Sequence, residues 1–205
     1  MVLKLFFKEK LYMNKNNLLI VVVGMCGSGK STIASYFKKK GWNIIRFGEI
    51  TIEELKRRNL EDTEQNERII REELRKNHGQ EAYAKLLLPK IKESIFKGNT
   101  LIDGLYSWAE YLFLKKNLPI NMSVVNVFTD RLLRYKRLSV RKERPLSFEE
   151  AQSRDYAEIE KLDKGGPIAM ADYTIINNVS PKKFYHELDK LIFKISSEKN
   201  EITNF

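Results

Sequence analysis

The sequence predicts a three-layer α/β/α fold built on a parallel β-sheet. Two observations carry this prediction. Short apolar runs of strand length alternate with longer stretches in which apolar residues recur at helical spacing. A glycine-rich segment joins the first apolar run directly to the first helical stretch. Strands that alternate with helices form parallel sheets covered on both faces, and 205 residues are enough for one such domain.

The first apolar run, residues 17–23, leads into the segment Gly24-Met25-Cys26-Gly27-Ser28-Gly29-Lys30-Ser31-Thr32. This segment matches the phosphate-binding loop G-x-x-x-x-G-K-[ST], and a helix is predicted over 31–40. Glycines allow backbone N–H groups to surround a phosphate, and the helix N-terminus adds partial positive charge. We therefore expect the loop to bind nucleotide phosphates, with Lys30 on the β- and γ-phosphates and Ser31 as a Mg²⁺ ligand.

The remaining elements follow from apolar patterning and from capping signals. Three Ser/Thr-x-x-Glu capping boxes, at 51–54, 107–110 and 147–150, mark helix starts, and 164–167 is predicted as a loop. Consecutive helices over about 50–97 exceed one crossover and predict a helical flap at the sheet edge. The predicted strands are 17–23, 42–47, 100–103, 122–128 and 173–177, and the later helices are 51–59, 62–77, 80–97, 107–117, 130–143, 147–162 and one beginning at 181.

We expect one domain over residues 17–195, preceded by an N-terminal extension (1–16) and followed by a flexible tail (196–205). Met13 is an alternative start within the extension. No apolar run has transmembrane length, and no signal-peptide cleavage pattern is present, so we expect no membrane association. The single cysteine, Cys26, excludes an intramolecular disulfide and fits the reducing cytoplasm.

The formal charge of +10 favours anionic partners such as nucleotides, phosphorylated metabolites or nucleic acid. Solvated lysine-rich helix faces explain much of this charge. Arg134, Arg137 and Arg141 are different, because helical spacing over 130–143 would place them on one face, and Arg144 extends the cluster. This pattern fits a basic lid over phosphates or, alternatively, a solvated basic helix. Basic and aromatic residues are not interleaved, so nucleic acid is the weaker expectation.

Two acids follow predicted strands at the carboxyl edge of the sheet, where ligands of open α/β sheets bind. Asp103 ends the third strand and would hold Mg²⁺ or accept the acceptor's proton; the alternative is a cap for the next turn. Glu49 follows the second strand and is either a general base or an acid that complements a helix dipole. Tyr106 and Trp108 are candidates for an acceptor pocket or simply for the core.

Together, these features resemble dephospho-coenzyme A kinase and its uncharacterised kinase-like relatives in the nucleoside monophosphate kinase group. The resemblance extends over residues 18–192 and rests on the phosphate loop and on three further segments: 134–141, 147–155 and 171–178. It implies a P-loop NTPase fold, three-layer α/β/α, with a five-stranded parallel sheet. It also implies a mobile acceptor-binding helical region over about 50–97 and an arginine-bearing lid over about 141–166.

The resemblance implies Mg-ATP as the phosphate donor and transfer of its γ-phosphate to a small nucleotide-like acceptor through a hydroxyl or phosphate group. It favours Asp103, Arg137 and Arg141 as site residues and places the turn after the final strand near the adenine. The expected site has three parts: Lys30, Asp103, Glu49, Arg137 and Arg141 in catalysis; Gly24, Gly27, Ser28, Gly29, Lys30, Ser31, Thr32, Arg134 and Asn178 in ATP binding; and Ser31 and Asp103 at the Mg²⁺ ion.

Three positions depart from the family pattern, all on the acceptor side. Glu49 stands where the family usually has Asp, and Ile52 and Tyr106 stand where relatives often have Arg. Three alternatives therefore accompany the kinase expectation: a nucleoside or deoxynucleoside monophosphate kinase, an inactive ATP-binding relative, and a nucleotide-binding regulator or nucleic-acid-associated ATPase. A monomer and a homodimer are both compatible with the sequence.

Overall fold

The structure, a computed structural model, describes residues 17–142 and 144–203. The predicted N-terminal extension lies outside the described residues. Five strands form one sheet in the order β2-β3-β1-β4-β5, and each adjacent pair is parallel. This confirms the predicted five-stranded parallel sheet. The strands are β1 (Leu19–Val23), β2 (Asn43–Arg46), β3 (Thr100–Asp103), β4 (Ser123–Phe128) and β5 (Tyr173–Ile176).

Helices cover both faces of this sheet. Side chains of β1 alternate between two cores: Leu19 and Val21 pack towards the helices at 82–97 and 108–117, whereas Ile20 and Val22 pack towards the helices at 30–39 and 181–203. The three-layer architecture is therefore confirmed. The helices are α1 (Lys30–Lys39), α2 (Glu49–Arg57), α3 (Glu64–His78), α4 (Ala82–Lys97), α5 (Trp108–Asn117), α6 (Arg131–Ser139), α7 (Phe148–Glu160), α8 (Gly165–Ala169) and α9 (Pro181–Thr203).

Two of the three predicted capping boxes are confirmed. In the boxes that open α5 and α7, the serine hydroxyl accepts from the glutamate N–H and the glutamate carboxylate accepts from the serine N–H. The box at 51–54 is wrong, because α2 already begins at Glu49. The Thr51 hydroxyl is instead buried and lies 2.6 Å from the Tyr83 hydroxyl, and Glu54 accepts hydrogen bonds from Arg57 and Arg58.

The segment between α6 and α7 also differs from its prediction. Helix α6 ends at Ser139 rather than near 143, because the Leu146 N–H donates to the Leu138 carbonyl and turns the chain back. Arg141 therefore does not share a helix face with the arginines of α6, and the single-helix cluster predicted from spacing is wrong. Arg144 adopts a left-handed backbone with φ of 50°.

Two later segments are more helical than expected. The predicted loop at 164–167 contains the start of α8, and α9 continues to Thr203, into the segment expected as a tail.

Within the part of the chain that the structure describes, no helix is both long and apolar enough to cross a membrane. The helices that flank the functional edge of the sheet are α2, α3 and α7.

Candidate functional site

All five strands point their carboxyl ends to one edge of the sheet, because every adjacent pair is parallel. The phosphate-binding loop follows β1, and Glu49 follows β2. Asp103 is the last residue of β3, Thr129 follows β4 and Asn177 follows β5. Ligands of open α/β sheets bind at this edge. The fold thus gathers residues that are far apart in sequence into one candidate site.

The phosphate-binding loop is packed tightly against β4 and the end of β5. Gly24 and Gly29 have φ values of 137° and 102°, which L side chains rarely adopt. A Cβ on Gly24 would lie 2.6 Å from the Val127 carbonyl oxygen, and one on Gly29 would lie 2.2 Å from Asn177 Nδ2. Glycine is therefore required at both positions by conformation and by space.

Hydrogen bonds from two strand ends fix the middle of the loop. The Ser28 carbonyl accepts from Asn177 Nδ2 at 2.8 Å and from the Thr129 hydroxyl at 3.0 Å. Arg137 braces this anchor, because it donates to the Asn177 carbonyl at 2.8 Å and to Thr129 Oγ1 at 3.4 Å. The Ser28 hydroxyl is buried and has no hydrogen-bond partner among the described residues.

The Lys30 side chain closes the loop on itself. Its ammonium donates to the carbonyls of Gly24 at 2.8 Å and Met25 at 3.0 Å. Burial, and next the charge of Lys164, lower the pKa of Lys30 to about 8. Ser31 is exposed in the first turn of α1. The loop therefore presents a cation and a hydroxyl at the start of a helix, the arrangement that suits bound phosphates.

Arg134 ties the loop to α7. Its guanidinium donates to both carboxylate oxygens of Asp155, at 2.9 and 2.6 Å, and to the Cys26 carbonyl at 2.9 Å. The Tyr135 hydroxyl donates to the same carboxylate at 3.0 Å. Both partners of the ion pair are 6% exposed at the side chain. Cys26 packs beside this pair against a small apolar cluster and fills space in the loop.

Asp103 and Glu49 lie at the ends of neighbouring strands and share a cation. Arg46 approaches Asp103 to 3.8 Å and Glu49 to 3.7 Å, and Lys90 lies 3.5 Å from Glu49. The Asp103 side chain is 12% exposed. Burial raises the pKa of Asp103, and the charges of Lys30 and Arg46 oppose this rise. Asp103 is consequently suited to hold a proton or to face a cation.

A cleft of about 1460 Å³ opens above these acids, between α2 and α3 on one side and α7 on the other. Asp103, Glu49, Ile52 and Tyr106 all line it. The cleft lies where the predicted acceptor-binding region faces the predicted lid. A smaller cavity of about 350 Å³ lies beside the loop, lined by Met25, residues 126–131, Arg134 and Ile168.

The charged walls of the cleft are linked by a continuous series of ion pairs. The series alternates in sign and crosses from α7 to α3, where Arg154 lies 2.7 Å from Glu64. It then reaches the segment between α6 and α7 through an ion pair between Glu67 and Arg144. In order, its members are Lys164, Glu158, Arg154, Glu64, Arg71, Glu67 and Arg144.

Two of the expected site residues, Arg141 and Asn178, hydrogen-bond to other residues of the chain in this structure. The Arg141 guanidinium donates to the Arg144 carbonyl, and Asn178 Oδ1 accepts from the Asp130 N–H at 3.1 Å. Sequence reasoning missed four residues of the site, of which only Asn177, directly after the final strand, carried a recognisable signal. The four are Arg46, Thr129, Lys164 and Asn177.

The parallel sheet and its loop define the P-loop kinase class of fold. Solved structures have the same fold. A shikimate kinase from Bacteroides thetaiotaomicron superposes with a TM-score of 0.57 at 15% identity, and the aligned region covers 87% of this chain and 98% of the kinase chain. A shikimate kinase from Acinetobacter baumannii has a TM-score of 0.56 at 18% identity, with coverage of 91% and 97%. TT1252 from Thermus thermophilus has a TM-score of 0.58 at 15% identity, with coverage of 87% and 97%. At these identities the likeness concerns the fold alone.

Relatives of higher sequence identity show which family the chain belongs to. A family model described as an AAA domain matches residues 20–160. UPF0200 protein TK1334 from Thermococcus kodakarensis is 36% identical over 186 residues, which covers 88% of this chain and 100% of that protein. A UPF0200 protein from Thermococcus onnurineus is 35% identical over 185 residues, with coverage of 88% and 100%. The chain belongs to the UPF0200 family.

Proposed function

We propose that this protein is an ATP-dependent phosphotransferase that moves the γ-phosphate of Mg-ATP to a small nucleotide-like acceptor. One observation carries the proposal: the largely buried carboxylate of Asp103 lines a large cleft, and Asp103 pairs across the sheet with Val22, two residues before the phosphate loop that carries Lys30. A nucleotide-binding regulator needs the loop but has no need for the cleft or its acids. Phosphoryl transfer needs all three.

The donor side offers the groups that ATP and Mg²⁺ require. The backbone N–H groups of residues 27–31 and the ammonium of Lys30 would hold the phosphates, and the unpartnered Ser28 hydroxyl adds a donor. Ser31 and Asp103 supply oxygen ligands of the type that Mg²⁺ prefers, so the residues present fit this ion. When bound, Mg²⁺ neutralises charge on the β- and γ-phosphate oxygens.

The reaction proposed here needs one proton acceptor. An oxygen of the acceptor forms a bond to the γ-phosphorus, and the bond from this phosphorus to the β–γ bridging oxygen breaks, which releases ADP. A hydroxyl acceptor passes its proton to Asp103 or Glu49; the pKa of Asp103, raised by burial, suits it to this role. Arg137 and Arg141 are assigned to the transferring phosphoryl group, a role in which each would exchange the carbonyl that it contacts in this structure for a phosphate oxygen. Arg134 supports the loop through Cys26.

The acceptor would enter between α3 and α7. Ile52 and Tyr106 do not supply the arginines common in kinase-like relatives, but Arg46, Arg71 and Arg154 line the same cleft. A phosphorylated, nucleotide-like acceptor of the dephospho-coenzyme A kind fits these cations, and a nucleoside or deoxynucleoside monophosphate is the alternative. We assign the protein to the cytoplasm, where reduced thiols and ATP occur together.

ADP release tests the proposal. Purified protein with Mg-ATP is screened against dephospho-coenzyme A, nucleoside monophosphates and deoxynucleoside monophosphates. We expect acceptor-dependent ADP release that Lys30→Ala abolishes while circular dichroism stays unchanged. Lys190→Ala, at an exposed position of α9, serves as the matched control and should retain activity.

Two results would contradict the proposal. One is normal ATP consumption by folded Lys30→Ala. The other is ATPase activity that RNA or DNA stimulates and that no small acceptor affects, with binding that weakens steeply as salt rises. The second result would identify the nucleic-acid-associated alternative.

A further inference from the structure

Lys164 directly precedes α8, and only 1% of its surface is exposed. Its ammonium donates to Glu158 Oε2 at 2.6 Å and lies 5.5 Å from the centre of the Tyr106 ring. An ammonium carries three donor hydrogens. Among residues 17–142 and 144–203, Glu158 is the one hydrogen-bond acceptor that the side chain contacts. A buried cation therefore holds donors for which the described chain offers no acceptor.

Tyr106 connects this lysine to the functional edge of the sheet. A Cβ on Gly104 would lie 2.8 Å from the Tyr106 hydroxyl oxygen, and one on Gly48 would lie 3.1 Å from it. Gly104 follows Asp103 at the end of β3, and Gly48 lies just beyond β2. The ring thus spans from the strand ends to the ammonium of Lys164, so the lysine lies directly behind Tyr106 and Glu158, two residues that line the cleft.

Electrostatic coupling gives the same location. After burial, the charge of Lys164 has the largest effect in lowering the pKa of Lys30. The charges of Lys30 and Lys164 also act on Asp103, where they oppose the effect of its burial. Charges influence one another in this way when they share a poorly screened space. The charges of the two lysines and of Asp103 therefore act on one another.

The stability of the fold does not by itself explain why Lys164 and Glu158 form a buried ion pair. Replacing a buried ion pair by apolar residues of similar volume is often neutral or stabilising, because both charges lose their hydration. Burial favours the neutral form of Glu158, but Lys164, Arg154 and Lys30 together outweigh it and lower the pKa of Glu158 to about 2. Glu158 is therefore ionised at working pH and fixes the Lys164 ammonium beside the strand ends.

We propose that Lys164 is a second phosphate-binding lysine, which contacts the γ-phosphate of the bound nucleotide, and that Glu158 is its positioning residue. The inference rests on the proposed function. Lys30 approaches the phosphates from the loop, and Lys164 neutralises the transferring group from the side of the cleft. Lys164 forms no covalent bond and exchanges no proton. Glu158 balances its charge before the nucleotide binds.

Discrimination between ATP and ADP tests this assignment, because only ATP carries the γ-phosphate. Calorimetry with Mg²⁺ gives the Kd of a non-hydrolysable ATP analogue and of ADP for the wild type, Lys30→Ala and Lys164→Met. For Lys164→Met we expect affinity for the analogue to fall about 10- to 100-fold, while ADP affinity changes by less than about threefold. Lys190→Met, an exposed lysine of α9, is the matched control and should keep both affinities.

Lys164→Met leaves the buried Glu158 carboxylate without the Lys164 cation, and this variant could fail to fold for that reason. A second variant keeps the test decisive in that case. Lys164→Met with Glu158→Gln removes both charges and is measured in the same way. A folded variant that keeps the wild-type preference for the analogue over ADP overturns the role of Lys164, as does an equal loss of affinity for both nucleotides. If the wild type binds neither nucleotide, or Lys30→Ala binds both normally, the proposed function itself fails.

Discussion

Replacing Arg134 by Met removes the guanidinium that joins the phosphate-binding loop to α7. In the intact protein this group donates two hydrogen bonds to Asp155 and one to the Cys26 carbonyl. After Arg134→Met, the Asp155 carboxylate keeps the Tyr135 hydroxyl at 3.0 Å as its hydrogen-bond donor among the described side chains. A buried carboxylate then stands without its cation.

The expected cost follows from this burial. Both side chains are 6% exposed, so water screens the pair little. Removal of one partner from a buried ion pair costs about 3–5 kcal/mol of unfolding free energy. The double variant Arg134→Met with Asp155→Leu has no buried charge here, and we expect it to recover most of this loss. It still lacks the bond to Cys26, so we expect its ATP affinity to stay about tenfold below wild type.

Denaturant unfolding measures the stabilities, and calorimetry with a non-hydrolysable ATP analogue measures the affinities. Lys136→Met, an exposed position of the same helix, is the matched control and should change neither quantity. A single variant that loses less than about 1 kcal/mol would refute the buried-pair reasoning. A double variant with wild-type ATP affinity would refute the claim that Arg134 shapes the loop through Cys26.

The remaining predictions concern pH and backbone conformation. The pKa of Lys30 is about 8, and phosphate binding needs the charged form of this lysine. The Kd for ATP should therefore rise about tenfold per pH unit above pH 8. A Kd that stays constant up to high pH in titration calorimetry contradicts this prediction. Gly29→Ala and Gly41→Ala both place a side chain at positive φ, but only the first brings its Cβ against Asn177. Denaturant unfolding should therefore show a loss of about 1–2 kcal/mol for Gly41→Ala and a larger one, with weakened ATP binding, for Gly29→Ala; equal losses contradict the packing argument. Burial raises the pKa of Glu110 from 4.5 to about 7, so the folded state binds more protons between these values and stability falls as pH rises through that window. Glu110→Gln should abolish this part of the pH dependence of unfolding, and an unchanged profile contradicts it.

The sequence predicted the fold well, because the signals that set it are local. Each strand is an apolar run bounded by turn residues, and two capping boxes formed because both partners lie within one helical turn. The third box failed for a non-local reason. The Thr51 hydroxyl pairs with Tyr83, 32 residues away, and no short-range pattern reports that contact.

The site was less predictable than the fold. Spacing placed Arg141 on a helix face, but the helix ends at Ser139, where a backbone hydrogen bond between Leu146 and Leu138 reverses the chain. Lys164 was missed altogether, because its burial depends on Tyr106 and Glu158 and not on its neighbours in sequence. Cation placement depends on tertiary contacts, which helical periodicity does not encode.

The anchor between Ser28 and Asn177 has a consequence for the order of folding during synthesis. The hydrogen bond joins residues 149 positions apart, and its donor lies beyond the matched family segment at 20–160. A nascent chain released only as far as residue 160 would contain the loop sequence and four of the five strands, but neither β5 nor Asn177. Contacts of such long range form late. Nucleotide-binding competence should therefore appear on the ribosome only after the final strand has emerged.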